Sequence, residues 1–106
     1  MLNALENQGQ RLLVSAITLL EVAVIFGVGN RKHPEHGAQM LDAMEVSFGV
    51  EVLPMSFEVA IEVASMGDAL RDPMDCAIVA TARVHRLTLI TSDERIIKSK
   101  LVKVVH

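Results

Sequence analysis

The chain has 106 residues, 51% of them hydrophobic and 22% charged, which supplies one apolar core, leaves no length for a second and excludes intrinsic disorder. A single cysteine, Cys76, excludes an intramolecular disulfide framework and a zinc site of several thiolates, and suits a reducing, cytoplasmic compartment. The net charge of −3 hides an asymmetry: residues 1 to 70 carry three basic and nine acidic side chains, and residues 71 to 106 carry seven basic and four acidic ones.

In chain order, the first ten residues show no basic start followed by an apolar run, so no signal peptide is expected. The stretch from Leu12 to Gly29 is apolar or small apart from Ser15, Thr18 and Glu21. A carboxylate at a bilayer centre is unfavourable by about 3 kcal/mol, and no basic cluster flanks the stretch, so it reads as a buried strand and helix and not as a membrane span. The strand is Leu12–Ser15, and the helix runs from Ile17 to the Gly27, Gly29, Asn30 cluster. Residues 31 to 37, with Pro34 inside, read as a loop, and His33-Pro34-Glu35-His36 within it as solvated, since two histidines without further ligands are a weak metal signal.

A helix over Ala38–Ser47 is predicted from Met40, Leu41, Met44 and Phe48, then a strand over Val50–Leu53 ended by Pro54. Ser56 is an N-cap for a helix over Phe57–Met66, stopped by Gly67. Asp72-Pro73-Met74-Asp75 is a helix start, with Asp72 as N-cap, Pro73 at the first helical position and Asp75 near the positive end of the dipole. The helix from Met74 to His85 is apolar almost all round, as helices covering a parallel sheet are. A strand over Leu87–Thr91, a short helix over Asp93–Ser99 and a strand over Leu101–Val105 complete an α/β pattern.

Three carboxylates stand out by position. Sites in open parallel sheets lie beyond the carboxyl ends of the strands; Asp93 follows one such end, and Asp75 opens the helix leading into that strand. Glu21 lies within an apolar helix, where an ionised carboxylate needs a partner or a metal. Carboxylates converging from separate elements are the oxygen ligands that Mg²⁺ or Mn²⁺ prefers. Taken singly, Asp75 also reads as a first-turn acid, Asp93 as an N-cap and Glu21 as a solvent-facing residue. With only Phe26, Phe48 and Phe57 as aromatics, base stacking is excluded and a nucleic acid would be held through its backbone.

The segments Leu13 to Ala23, Gly67 to Ala82 and Thr88 to Ile96 together resemble PIN domains of the VapC toxin type, with order and spacing matching from about Ala4 onward. The resemblance implies a three-layer α/β/α fold with a parallel sheet, and an endoribonuclease whose four acids hold Mg²⁺ or Mn²⁺. It places the second, third and fourth acids at Glu21, Asp75 and Asp93, with Thr91 at a position that supports the fourth. It also implies an RNA substrate, a VapB-like antitoxin, a homodimer and no membrane. The departures are specific. The family's first strand, central in the sheet and carrying the first Asp, is not found in Met1 to Gln10, and Glu6 does not replace it. Cys76 stands where such toxins commonly have Arg, and Leu70 where many have His.

The expected protein is therefore an N-terminally truncated PIN-like domain, with two strand edges left unpaired and hydrolysis impaired. The alternative is a non-catalytic interaction protein that keeps the dimer and antitoxin surfaces. A receiver-type signalling domain is a weaker reading, since no strand ends in a phosphoacceptor Asp with a Lys closing a later strand.

Overall fold

The computed structural model describes the backbone of residues 4 to 6 and the whole of residues 12 to 105. Among the described residues, five strands form one sheet: β1 (Ala4–Glu6), β2 (Leu12–Ser15), β3 (Glu51–Leu53), β4 (Thr88–Ile90) and β5 (Val104–Val105), in the spatial order β3-β2-β1-β4-β5. Five α-helices accompany them: α1 (Ala16–Val22), α2 (Glu35–Asp42), α3 (Phe57–Ser65), α4 (Pro73–His85) and α5 (Glu94–Ser99). The first two continue into π-helical turns, Ala23–Val28 after α1 and Ala43–Ser47 after α2.

Alternation along β2 divides the core. Leu13 joins a cluster with Ile78, Val79, Ala82, Leu89 and Ile96, contributed by α4, β4 and α5. Its neighbour Val14 joins Val22 and Met44 on the other side, packed by Leu19, Phe26, Met40 and Leu41. Successive strand residues point to opposite faces, so helices must cover both, and the result is the expected three-layer α/β/α arrangement. Helix α4 is buried from Asp75 through Ala82, which explains its lack of a polar face. Among the described residues no helix is long and apolar enough to cross a membrane.

Two expectations need correction. The gap and unpaired edges expected between β2 and β4 are absent, because β1 lies there and pairs antiparallel with both, Leu5 opposite Leu13 and Leu89. The pairs β2–β3 and β4–β5 are parallel, so the sheet is mixed. Three residues, Ala-Leu-Glu, carry too short a pattern to read as a strand; two facing strand edges needing hydrogen-bond partners decide their conformation.

The second correction concerns α2, which begins at Glu35 and not at Ala38, with Pro34 as its N-cap at φ −64°. Gly37, read as a loop residue, lies in this helix at its crossing with the π-helical turn. A Cβ there would come within 2.8 Å of Gly27 Cα and 2.9 Å of Gly27 N. The remaining elements agree with their predicted positions to within one to three residues, and Ser56 and Asp72 cap α3 and α4 as expected.

Because the atoms facing Gly37 are backbone, Gly37→Ala is expected to force the two helices apart and to lower stability by about 1–3 kcal/mol. A reduced midpoint in urea unfolding with an unchanged slope checks this.

Candidate functional site

The acids reach the carboxyl end of the parallel strands by three short routes. Ser15, the last residue of β2, turns the chain into α1 by accepting a hydrogen bond from Ile17 N–H on its Oγ at 3.1 Å, and Glu21 follows in that helix. Asp72 Oδ1 accepts from Met74 N–H at 2.9 Å to start α4, which sets Asp75 in the first turn. Past β4, Thr91 Oγ1 accepts the Asp93 N–H at 3.0 Å, and Asp93 Oδ1 accepts the Arg95 N–H at 2.9 Å, capping α5. Thr91 thus supports Asp93 directly.

The structure brings Asp75 and Asp93 to a common point. One terminal nitrogen of Arg95 lies 3.3 Å from Asp75 Oδ2 and 3.2 Å from Asp93 Oδ2. The Asp75 side chain is only 7% exposed, whereas that of Arg95 is 69% exposed and reaches in from the rim. Glu21 is half-buried, and its Oε1 is closed off from solvent with no hydrogen-bond partner among the described residues.

The electrostatics agree with the geometry. Burial holds the Glu21 carboxyl above its ordinary value, and the negative charge of Asp75 raises it further, with smaller contributions from Asp72 and Asp93. Asp75 is raised first by burial and then by Asp72 and Asp93, against the opposing pull of Arg95. Asp93 is lowered, chiefly by its hydrogen bond from the Arg95 side chain. Glu21 and Asp75 thus hold their protons more tightly than free carboxyls, and the three side chains offer the oxygen-only chemistry of a hard divalent cation site.

Sequence reasoning singled out Glu21, Asp75, Asp93 and Thr91 but missed Arg95, and it read Asp72 only as a cap. An Asp cap followed two residues later by Arg is the signal that was available for Arg95, because the cap geometry returns the second residue's side chain over the first.

Backbone register excludes Glu6 from this end of the sheet: in antiparallel β1 it lies opposite Leu12 and Thr88, where β2 and β4 begin. His33, Glu35 and His36 are exposed, with donor atoms within 4.8 Å of one another. His33 Nδ1 and Glu35 Oε1 pair at 3.2 Å, and the two imidazoles stack at 4.9 Å. The donor atoms of Glu21, Asp75 and Asp93 do not all lie within that distance of one another.

Residues 1–100 match the PIN domain family. In fold the chain is similar to VapBC2 from Rickettsia felis, in a crystal structure bound to a DNA fragment from their promoter. The TM-score is 0.71 at 17% identity, over 88% of this chain and 72% of that one. It is also similar to FitAcB from Neisseria gonorrhoeae, with a TM-score of 0.66 at 25% identity, over 87% and 72% of the two chains. No curated protein matches the chain.

A carboxyl whose pKa is raised by folding costs stability progressively as pH rises from its ordinary value, 4.5 for Glu21, to the raised value, and costs it in full above that. Glu21→Gln is therefore expected to raise the melting temperature of the metal-free protein at pH 7 by roughly 2–4 °C, discounted for the partial exposure of Glu21. The difference from wild type should shrink as pH falls to about 4.5, which thermal melts across pH 4.5–7.5 measure.

Proposed function

Because the chain belongs to the PIN domain family, we propose that it is a VapC-like protein of the Mg²⁺- or Mn²⁺-dependent endoribonuclease type, whose metal ligands are Glu21, Asp75 and Asp93. PIN domains are generally dependent on a divalent metal. The observation that carries the reading is the convergence of Asp75 and Asp93 on one point, together with a buried Glu21 oxygen that no described protein group satisfies and whose carboxyl feels the charge of Asp75. Closed-off oxygen ligands with surplus negative charge fit a hard divalent ion.

A bound divalent ion supplies positive charge for a phosphodiester and lowers the pKa of a water. The protein's part is placement. Asp75 is held by a helix that cannot turn, since α4 is buried over eight consecutive residues. Asp93 is held from both sides, its N–H on Thr91 Oγ1 and its Oδ1 under the Arg95 N–H. Glu21 would complete the set from α1, its carboxyl held above its ordinary value by burial and by the charge of Asp75. RNA would be held by its phosphates, for which Arg95 and Lys98 on α5 are the nearest cationic side chains in sequence to Asp93. These 106 residues offer three acids to the metal, and each further anionic ligand would fix its position and charge more closely.

One observation favours the second reading, a non-catalytic interaction protein. Val28, Val46, Phe48, Phe57 and Ile61 are large apolar side chains that remain mostly exposed. They would pack against a second copy in a homodimer or against the arm of a VapB-like antitoxin. In this reading the acid site is a remnant and the surfaces carry the function.

Mn²⁺ at millimolar concentration is expected to raise the melting temperature of the wild-type chain and not that of Asp75→Asn, by mass action on the folded state. RNA cleavage by the pure chain is expected to be slow and to vanish in Asp75→Asn. A metal shift without any cleavage favours the interaction protein; cleavage that persists in Asp75→Asn rules out the proposed ligand set. Analytical ultracentrifugation at micromolar concentration should show a dimer, and a monomer throughout would remove the homodimer from the proposal.

A further inference from the structure

We propose that Arg95 is the resident counter-ion of the metal-free carboxylate site, and that a divalent cation can enter only by displacing its guanidinium. The inference rests on the metal reading above and adds a control on when the site fills.

Its basis is one nitrogen in one place. The Arg95 terminal nitrogen stands 3.3 Å from Asp75 Oδ2 and 3.2 Å from Asp93 Oδ2. A cation bound to the same two oxygens at the ~2.0–2.6 Å usual for Mg²⁺, Mn²⁺ or Ca²⁺ would fall almost on that nitrogen. Two positive centres cannot share the position, so guanidinium and metal exclude each other.

The arginine also leaves the site incompletely balanced. It reaches Asp75 and Asp93, while Glu21 Oε1 stays buried without a partner among the described residues. One positive charge faces three carboxylates, and the shortfall favours exchange for a doubly charged ion.

Release of the side chain is inexpensive because it is mostly solvent-exposed. Release also spares the fold, since the cap of α5 uses the backbone N–H of Arg95 on Asp93 Oδ1 and not the guanidinium. The same residue thus has a structural half that stays and an electrostatic half that moves. Once displaced, the guanidinium remains tethered at the rim of the site, where an anionic phosphate is its natural partner.

Isothermal titration of the full chain with MnCl2 tests this, using wild type, Arg95→Ala, Arg95→Lys and Asp75→Asn. Arg95→Ala is expected to bind Mn²⁺ about three- to tenfold more tightly than wild type, as loss of one competing ion pair predicts. Arg95→Lys should fall between the two, and Asp75→Asn should not bind. Without metal, Arg95→Ala should melt below wild type at pH 7, and the gap should close at saturating Mn²⁺. Equal or weaker binding by Arg95→Ala, with wild type still binding, overturns the counter-ion proposal and leaves the metal reading intact. Absence of binding by both proteins overturns the metal reading, and the counter-ion proposal with it. Should Arg95→Ala fold poorly, Arg95→Gln and Arg95→Lys decide the same question by their order of affinity.

Discussion

Everything at the acid end of the sheet depends on one constraint: Asp75 stands at the head of a helix that is buried along its next seven residues. From Cys76 to Ala82 the helix α4 is enclosed by the sheet, α3 and α5, so it cannot rotate to bring Asp75 into water. Sliding is also blocked. Asp72 and Pro73 set its first turn, and Arg86, in the left-handed region at φ 55°, terminates it. The carboxylate is thus held where its charge is unfavourable, and the surroundings must supply a cation. Arg95 does so from a neighbouring helix start, and the burial that raises the Asp75 pKa strengthens the same contact.

The sheet explains why the other acids meet Asp75 there. β2 and β4 run the same way, so the chain leaving Ser15 and the chain leaving Ile90 emerge at one end, where α1 and α5 begin. The strand between them runs in reverse, and that reversal has a chemical consequence. A parallel central strand delivers its last residues to the acid end; antiparallel β1 delivers Ala4 there, opposite Ile90, and takes Glu6 away. The hydrogen-bond demand of the two edges is met, but no carboxylate comes with it.

Much of this was legible because it rests on local chemistry. Ser56 and Asp72 cap helices through contacts made within three residues, and a hydrophobic run as unbroken as Ala77 to Ala82 admits little but a buried helix. The acids Glu21, Asp75 and Asp93 were visible from the same local rules combined with strand ends, and the resemblance joined them into one set. What was not legible depends on partners distant in sequence. Ala4–Glu6 becomes a strand through β2 and β4. Gly37 belongs to a helix because Gly27 lies against it, which loop-like composition around Pro34 conceals. Arg95 was missed for a related reason: its link to Asp75 spans twenty residues and exists only once α4 and α5 are packed.

The glycine contact is not remote from the acids. Glu21 sits near the end of α1, and the helical path continues without interruption through the π-helical turn Ala23–Val28 to Gly27, which rests on Gly37. A π-helical turn holds more residues per turn than an α-helix, so it shifts the register of every side chain beyond it. The helix is held at its start by the Ser15 cap and at its far end by the close approach to α2, and Glu21 lies between these two anchors. Its Oε1 is buried between these anchors without a described partner. Helix α1 also touches α4, with Ile17 packed against the α4 cluster, so burial and the negative charge of Asp75 act on Glu21 together.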